Sequence, residues 1–195
     1  MENTTKHAIN RQPIPQGKAV DCPLPENCSL HGMAKGKGYQ DAFAFQLKDQ
    51  TQDSRSVYLA IFGQLPKPVR FMISLRNKLV GLFGFETSPE GMTITADQIK
   101  EGAKAGAMTI LKATGEEVIV GSEERHMAVW LSLQKHPDNL YTLSSRVNLH
   151  TGIGRAYMQV IKPFHKVIAA YSIESAFKAG RLSEARPIAE VIQTR

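Results

Sequence analysis

The chain lacks any run of apolar residues that approaches the roughly 18 needed to cross a bilayer as a helix. Its first residues include no apolar segment of the kind that directs secretion. Only two of its 195 residues are cysteine, which is too few for a disulfide framework. These absences predict a cytoplasmic protein without a membrane span, whose core is large enough to fold without cross-links.

Clusters of positive charge are also absent, although the formal net charge is +6. The Lys and Arg residues are scattered and are not interleaved with aromatic residues. Nucleic-acid-binding surfaces normally concentrate such residues on one face or helix. The composition therefore predicts no nucleic-acid partner and only a general attraction to anions.

The two cysteines do not form a typical metal-binding pattern. Cys22, Cys28 and His31 are spaced C-x5-C-x2-H, and His7 is available as a fourth ligand. Structural zinc sites use tighter pairs, usually C-x2-4-C. We expect free thiols, no metal and no cofactor.

The chain divides into three segments. Residues 1–37 are rich in proline and have no apolar period, which predicts a poorly ordered or loosely packed N-terminal extension. Residues 38–180 form the predicted domain, and 181–195 form a C-terminal tail.

Within the domain, the stretch 39–47 alternates as a strand does, with Phe43, Phe45 and Leu47 on one side. A short helix is predicted at about 53–62, ending at Gly63. A second helix is predicted at about 66–84, with an apolar face centred on Met72.

The stretch from about 105 to 149 is typical of antiparallel hairpins, with turns at 114–115 and 136–139. A long helix follows at about 154–179, bent near Pro163. Its predicted core face is centred on Phe164 and includes these apolar residues: Ile153, Tyr157, Val160, Ile161, Ile168 and Tyr171.

This order predicts an α+β protein, in which an antiparallel sheet carries two short helices and a long C-terminal helix packed across it. Such an arrangement is the helix-grip architecture of START-like proteins. Helix-grip sheets usually leave a cavity between the helix and the strands, and this expectation is an analogy from the fold.

The stretches "RFMISLRNKLVGLFGF" (70–85) and "GRAYMQVIKPFH" (154–165) closely resemble a bacterial family of uncharacterised proteins. Its members occur alone or behind a short-chain-dehydrogenase-like domain, and the resemblance covers about 38–180. It implies a START-like fold but no activity or ligand. The chain departs from the family at Thr151, where Asn is frequent, and at Ala128, where an acidic residue is common.

Arg76 is the first candidate for a ligand-binding residue, because it lies inside the apolar arc of the second helix. A guanidinium there is costly unless it is paired. Two interpretations remain open: a salt bridge to Asp41, Glu123 or Glu124, or an anchor for an acidic group of a ligand.

The segment "HTGIGRAY" (150–157) follows a strand and begins a helix, as a dinucleotide-binding loop does. Tyr157 occupies the third glycine position and no βαβ unit follows, which argues against nucleotide binding of the Rossmann type. Arg155 opposes the helix dipole in the first turn. Either a carboxylate partner or a bound anion would offset that cost.

His150 and His165 are the catalytic candidates, since histidine transfers protons near neutral pH. Arg146 shares a strand face with His150. No nucleophile elbow or H-E-x-x-H motif is present. Whether the protein is an enzyme stays open.

The leading hypothesis is a helix-grip protein that binds a small, largely apolar or amphipathic molecule. Its expected ligand-binding residues are Arg76, Arg146, His150, Arg155 and Tyr157. One alternative is a cyclase or isomerase that uses a pocket histidine, and another is an interaction module with a filled core. A homo-oligomer is compatible with each of them.

Overall fold

A computed structural model describes residues 14–33, 38–48, 52–81, 94–106 and 108–182 of the chain. The strands are β1 (Val20–Cys22), β2 (Gly38–Gln46), β3 (Lys104–Ala105), β4 (Met108–Ala113), β5 (Glu117–Glu123), β6 (Met127–Lys135) and β7 (Leu140–Leu149). The helices are α1 (Leu30–Met33), α2 (Ser54–Phe62), α3 (Lys67–Gly81) and α4 (Gly152–Lys178).

The seven strands form one antiparallel sheet in the order β1-β2-β7-β6-β5-β4-β3. From β3 to β7, each strand pairs with the next one along the chain. β2 joins this meander by pairing with β7, which places Asp41 opposite Ser145. The prediction of an α+β fold with an antiparallel sheet and a long C-terminal helix is confirmed.

Local signals explain the position of α2. The Asp53 side chain accepts a hydrogen bond from the Ser56 amide at 2.8 Å and so caps the N-terminus of the helix. At the other end, the Gly63 amide donates to the Leu59 carbonyl. α2 therefore begins and ends where the sequence predicted, and it buries an apolar side against the sheet.

Different elements pack against the two faces of the sheet. One face carries the main core, in which side chains of β2 and β4–β7 pack against α2 and α4. A smaller apolar cluster on the same face joins Tyr39, Met127, Val147 and Met158. On the opposite face, Ile119 packs against Cys28 and Leu30. Because side chains alternate along a strand, neighbouring residues belong to different environments.

Helix α4 packs against β2 and β7, but not through the side that was predicted. Its buried residues are Gly154, Met158, Ile161, Ser172, Ile173 and Ala176. The predicted centre, Phe164, is exposed, as are Ile153 and Val160. The buried arc lies about 100° around the helix from Phe164. The predicted core face was therefore wrong, because the apolar residues of α4 form two arcs and only one faces the sheet.

Helix α3 buries Val69 and leaves Phe71 and Leu75 exposed, whereas Met72 is half-buried. It packs against α4. The helix lies where the sequence predicted it, up to Gly81. Residues 82–84 of the prediction lie outside the described residues.

Residues 14–33 pack more closely than a loose extension would. Val20–Cys22 add the edge strand β1 to β2. Leu30 is fully buried, and Cys28 is nearly so. These contacts were not predictable from the sequence, because single apolar residues between prolines give no period. The division at 37 and 181 stays a prediction, and 1–13 and 183–195 lie outside the described residues.

Candidate functional site

A buried carboxylate lies between α4 and the sheet. Asp41 accepts hydrogen bonds from the Tyr39 hydroxyl at 2.6 Å and from the Ser145 hydroxyl. His165 Nδ1 lies 3.3 Å from Asp41 Oδ2. We call Tyr39, Asp41, Ser145 and His165 the Asp41 cluster.

The backbone brings these residues together in a simple way. Tyr39 and Asp41 are two apart on β2, so they share the face that also carries Phe43. The β2–β7 register places Ser145 directly beside Asp41. His165 completes the cluster from the buried side of α4. The cluster is thus a polar patch on the sheet face that also carries the main core and the smaller apolar cluster.

Electrostatics keeps Asp41 ionised. Burial raises the pKa of the Asp41 carboxyl, but the hydrogen bonds from His165, Ser145 and Tyr39 outweigh this effect and hold that pKa below its ordinary value. Burial, reinforced by the hydrogen bond to the Asp41 carboxylate, raises the pKa of Tyr39. Tyr39 therefore stays a neutral donor, and Asp41 stays an acceptor.

The ionised carboxylate also orients His165. A carboxylate only accepts hydrogen bonds, so Nδ1 carries a proton and donates a hydrogen bond to Asp41. Nε2 has no hydrogen-bond partner within the described ranges, and the side chain is 25% exposed. The Tyr39 ring meets the imidazole edge-on, with ring centroids 5.7 Å apart. Lys162 Nζ lies 5.8 Å from the centre of the Tyr39 ring. The result is a positioned imidazole with one open nitrogen, packed against a tyrosine ring that also lies near a cation.

Arg146 and His150 lie apart from this cluster. Arg146 occupies the strand position next to Ser145 and therefore points to the opposite sheet face, where it donates to Gln40 at 3.2 Å. His150 is exposed at the end of β7, and its Nδ1 lies 3.3 Å from the Glu124 carbonyl oxygen. The expected pairing of a catalytic histidine with Arg146 is not formed.

Packing at the N-terminus of α4 explains the second glycine of "HTGIGRAY", Gly154, without a nucleotide. Thr151 caps the helix by accepting from the Gly154 amide, and its hydroxyl also contacts His126 Nδ1 at 3.0 Å. A Cβ on Gly154 would lie 2.4 Å from the His126 carbonyl oxygen. Close packing against the β5–β6 turn therefore requires glycine here. Arg155 is exposed, and Tyr157 packs against the smaller apolar cluster.

Arg76 lies on α3, but its side chain is outside the described part of the structure. Neither interpretation of Arg76 is therefore tested, and the expected set of ligand-binding residues stays a prediction.

The cysteines lie in the packed part of the N-terminal segment as free thiols. Burial raises the pKa of Cys22 to about 11 and also raises the pKa of Cys28. Such thiols are poor nucleophiles and poor metal ligands. His31 contacts the Pro25 carbonyl oxygen instead. Within the described ranges, no three His, Cys, Asp or Glu residues gather as a metal site would require.

A second buried carboxylate, Glu117, lies on the opposite face. It accepts from Ser29 at 2.6 Å, from Ser132 at 2.7 Å and from Lys112 at 2.8 Å. Burial raises the pKa of Glu117, and the bonds from Lys112, Ser29 and Ser132 more than reverse that rise. The contact with Ser29 ties the N-terminal segment to the sheet, and the other two join β5 to its neighbouring strands.

Sequence reasoning identified His165 but missed Tyr39, Asp41 and Ser145 as its partners. One signal was present. Asp41 falls on the same strand face as Phe43 and Phe45, where a charge is costly unless it is paired. Because the predicted core face of α4 was centred on Phe164, His165 lay about 100° from the predicted centre and was not expected to face the sheet.

Comparison with known proteins identifies the family to which the chain belongs. No curated protein matches the chain. One solved structure is described as a conserved protein of unknown function, EF2215 from Enterococcus faecalis. It is 13% identical, with a TM-score of 0.30, and the match covers 76% of this chain and 71% of that one. Among the described helices, none is long and apolar enough to cross a membrane. The family model described as "protein of unknown function (DUF2867)" matches residues 33–172, so the chain belongs to the DUF2867 family.

Proposed function

We propose that the protein binds a small, largely apolar molecule with an acidic group between α4 and the sheet, in the manner of START-like helix-grip proteins. The observation that carries this proposal is the Asp41–His165 contact. It places a partly exposed imidazole, with one open nitrogen, at an interface that is otherwise largely apolar.

The surroundings of His165 favour an acidic group. Lys162 Nζ lies 5.8 Å from the centre of the Tyr39 ring and would attract an acidic group, while three hydrogen-bond donors partly offset the charge of the ionised Asp41. Nε2, the ring nitrogen of His165 that Asp41 leaves open, would form a hydrogen bond with the acidic group of the ligand. The apolar part of the ligand would contact the neighbouring side chains of α4.

Binding of decanoate, compared with decanol, tests this proposal. Decanoate should bind more tightly than decanol in isothermal titration calorimetry. The His165→Ala variant should bind decanoate roughly tenfold to a hundredfold more weakly, and its affinity for decanol should be nearly unchanged. His150→Ala is the matched control, since His150 is exposed and remote from Asp41. Equal binding by both variants would contradict the proposal, as would a failure of the wild-type chain to bind either probe.

The same contact favours a second candidate, an enzyme that moves a proton. In many enzymes a carboxylate on one imidazole nitrogen orients the other nitrogen as a general base. A cyclase or isomerase would use His165 Nε2 in this way, with Tyr39 packed against the ring. Arg146 has no part in this version, because it points to the other face of the sheet.

Hydrogen exchange into a bound carbonyl compound distinguishes the candidates. A 2-decanone probe incubated with the protein in heavy water should gain deuterium next to its carbonyl if His165 acts as a base. The His165→Ala variant should abolish this exchange, and Asp41→Asn should slow it. If the wild-type chain binds the ketone without exchange, the protein is a binder and the enzymatic candidate is wrong.

A further inference from the structure

Exposed apolar side chains are concentrated on two neighbouring helices. Of the nine large hydrophobic residues that are exposed in the described ranges, seven lie on α3 or α4: Phe71, Leu75, Ile153, Val160, Phe164, Val167 and Tyr171. The two helices pack against each other. We call these seven residues the α3–α4 apolar surface. A concentration of exposed apolar side chains on adjoining elements is typical of an interaction site.

The part on α4 is a continuous stripe. Its five residues follow one another at intervals of seven, four, three and four, which is the spacing of one helix face. From Ile153 to Tyr171 the stripe is about 27 Å long. The sheet-facing arc lies on another side of α4, so these residues are available to a partner without disturbing the core.

The charge of α3 is one-sided, because this helix contains four Lys or Arg residues and no Asp or Glu. Between the ends of the stripe, the basic residues of α4 lie on the side away from it, and Glu174 beside the stripe is paired with Lys18. On α3, Lys67, Arg70 and Lys78 are exposed, and so is Phe71, whose exposed fraction is 69%. Helical spacing places Lys67 and Lys78 on the same side of α3 as Phe71. None of these three cations has a carboxylate partner among the described residues. The combination is an apolar surface with a basic border.

We propose that the α3–α4 apolar surface docks onto an anionic lipid membrane. Interfacial helices insert apolar side chains to the level of the acyl chains and keep Lys and Arg at the headgroups, whose negative charge attracts them. Phe71 and the stripe of α4 supply the apolar part, and Lys67, Arg70 and Lys78 supply the charge. This contact leaves both helices lying in the interface, and it goes beyond the proposed ligand site.

Vesicle sedimentation with the full chain tests the proposal. The protein should sediment with phosphatidylcholine vesicles that contain about 30% phosphatidylglycerol, and not with pure phosphatidylcholine. Raising the salt from about 0.05 to 0.5 M should weaken the binding. The double variants Lys67→Ala/Lys78→Ala and Phe71→Ser/Val160→Ser should each reduce it roughly tenfold or more. Amide hydrogen exchange should slow in 67–81 and 152–171 when vesicles are added.

Lys104→Ala/Leu111→Ser is the matched control, because it removes an exposed cation and an exposed apolar residue from the far edge of the sheet. It should bind vesicles as the wild-type chain does. No sedimentation with anionic vesicles would overturn the proposal. If, in that case, the wild-type chain is a dimer that Phe71→Ser/Val160→Ser converts to a monomer, a second copy occupies the surface. If the chain stays monomeric, another protein or another segment of this chain does.

Discussion

The two faces of the sheet each bury one carboxylate, and the two carboxylates are held differently. Glu117 is bonded by the hydroxyls of Ser29 and Ser132 and by Lys112, so that it joins the N-terminal segment to β4, β5 and β6. Asp41 is also bonded by two hydroxyls, but its third partner is the imidazole of His165. That imidazole keeps one nitrogen open.

The difference separates a structural contact from a functional candidate. A lysine holds a carboxylate through a flexible side chain whose ammonium group can rotate. A histidine in the same place is held in one ring orientation, with its second nitrogen directed towards a further bond. Burial and pKa alone do not distinguish the two sites, since both acids are buried and both pKa values are lowered. The identity and exposure of the third donor distinguish them.

The largest expected effect is that of Asp41→Ala. This change leaves the hydroxyls of Tyr39 and Ser145 without their acceptor, so we expect a loss of about 3–5 kcal/mol in the free energy of unfolding, measured with urea. Glu117→Ala should cost less, about 2–3 kcal/mol, because Lys112 is 40% exposed and can be hydrated. A larger loss for Glu117→Ala would reverse the comparison.

A second pair of variants compares a residue that covers the opposite face with one on the outer side of α4. Leu30→Ala should cost about 2–4 kcal/mol, since it leaves a cavity beside Ile119. Phe164→Ala should cost less than about 1 kcal/mol, because Phe164 is already exposed to solvent. Both values come from urea unfolding. A costly Phe164→Ala would mean that its side of α4 is covered after all.

Acid should lower the free energy of unfolding, because it protonates the buried carboxylates on both faces of the sheet. A carboxyl group whose pKa is lowered by folding stabilises the folded chain above its unfolded pKa, and this contribution is lost as the pH falls towards the lower folded pKa. The wild-type chain should therefore lose stability below about pH 4. Asp41→Asn and Glu117→Gln should each flatten the curve of unfolding free energy against pH in that region. An unchanged slope in either variant would show that its carboxyl pKa is not lowered by folding.

The smallest expected effects belong to two residues that the sequence favoured as ligand contacts: Arg155, which is exposed, and Arg146, which is half-buried and donates to Gln40. Arg155→Glu should stabilise the chain by about 0.3–1 kcal/mol, because it replaces an unfavourable charge at the N-terminus of α4. Arg146→Ala should change stability by less than about 0.5 kcal/mol. Thermal unfolding measures both. A loss of stability in Arg155→Glu would point to a carboxylate partner of Arg155 outside the described residues.

The element pattern of the fold was largely predictable, because strand alternation, turn residues and helix caps are local signals. Helix α4 shows the limit of these local signals. Its length was predicted well, but its apolar residues cover two arcs, and no local rule tells which arc meets the sheet. The candidate site was harder to predict from the sequence. Asp41 and Ser145 are 104 residues apart, and only the β2–β7 register joins them.

That register has a consequence for the order in which the chain assembles. Strands β3 to β7 close through short turns, whereas pairing β2 with β7 closes a loop of about a hundred residues and so carries a larger entropic cost. We expect β2 to dock after the meander has formed. The Asp41 cluster then exists only once this most distant pairing is complete. A folding intermediate that lacks β2 would have most of the sheet and no binding site, so ligand binding would report complete folding of the domain.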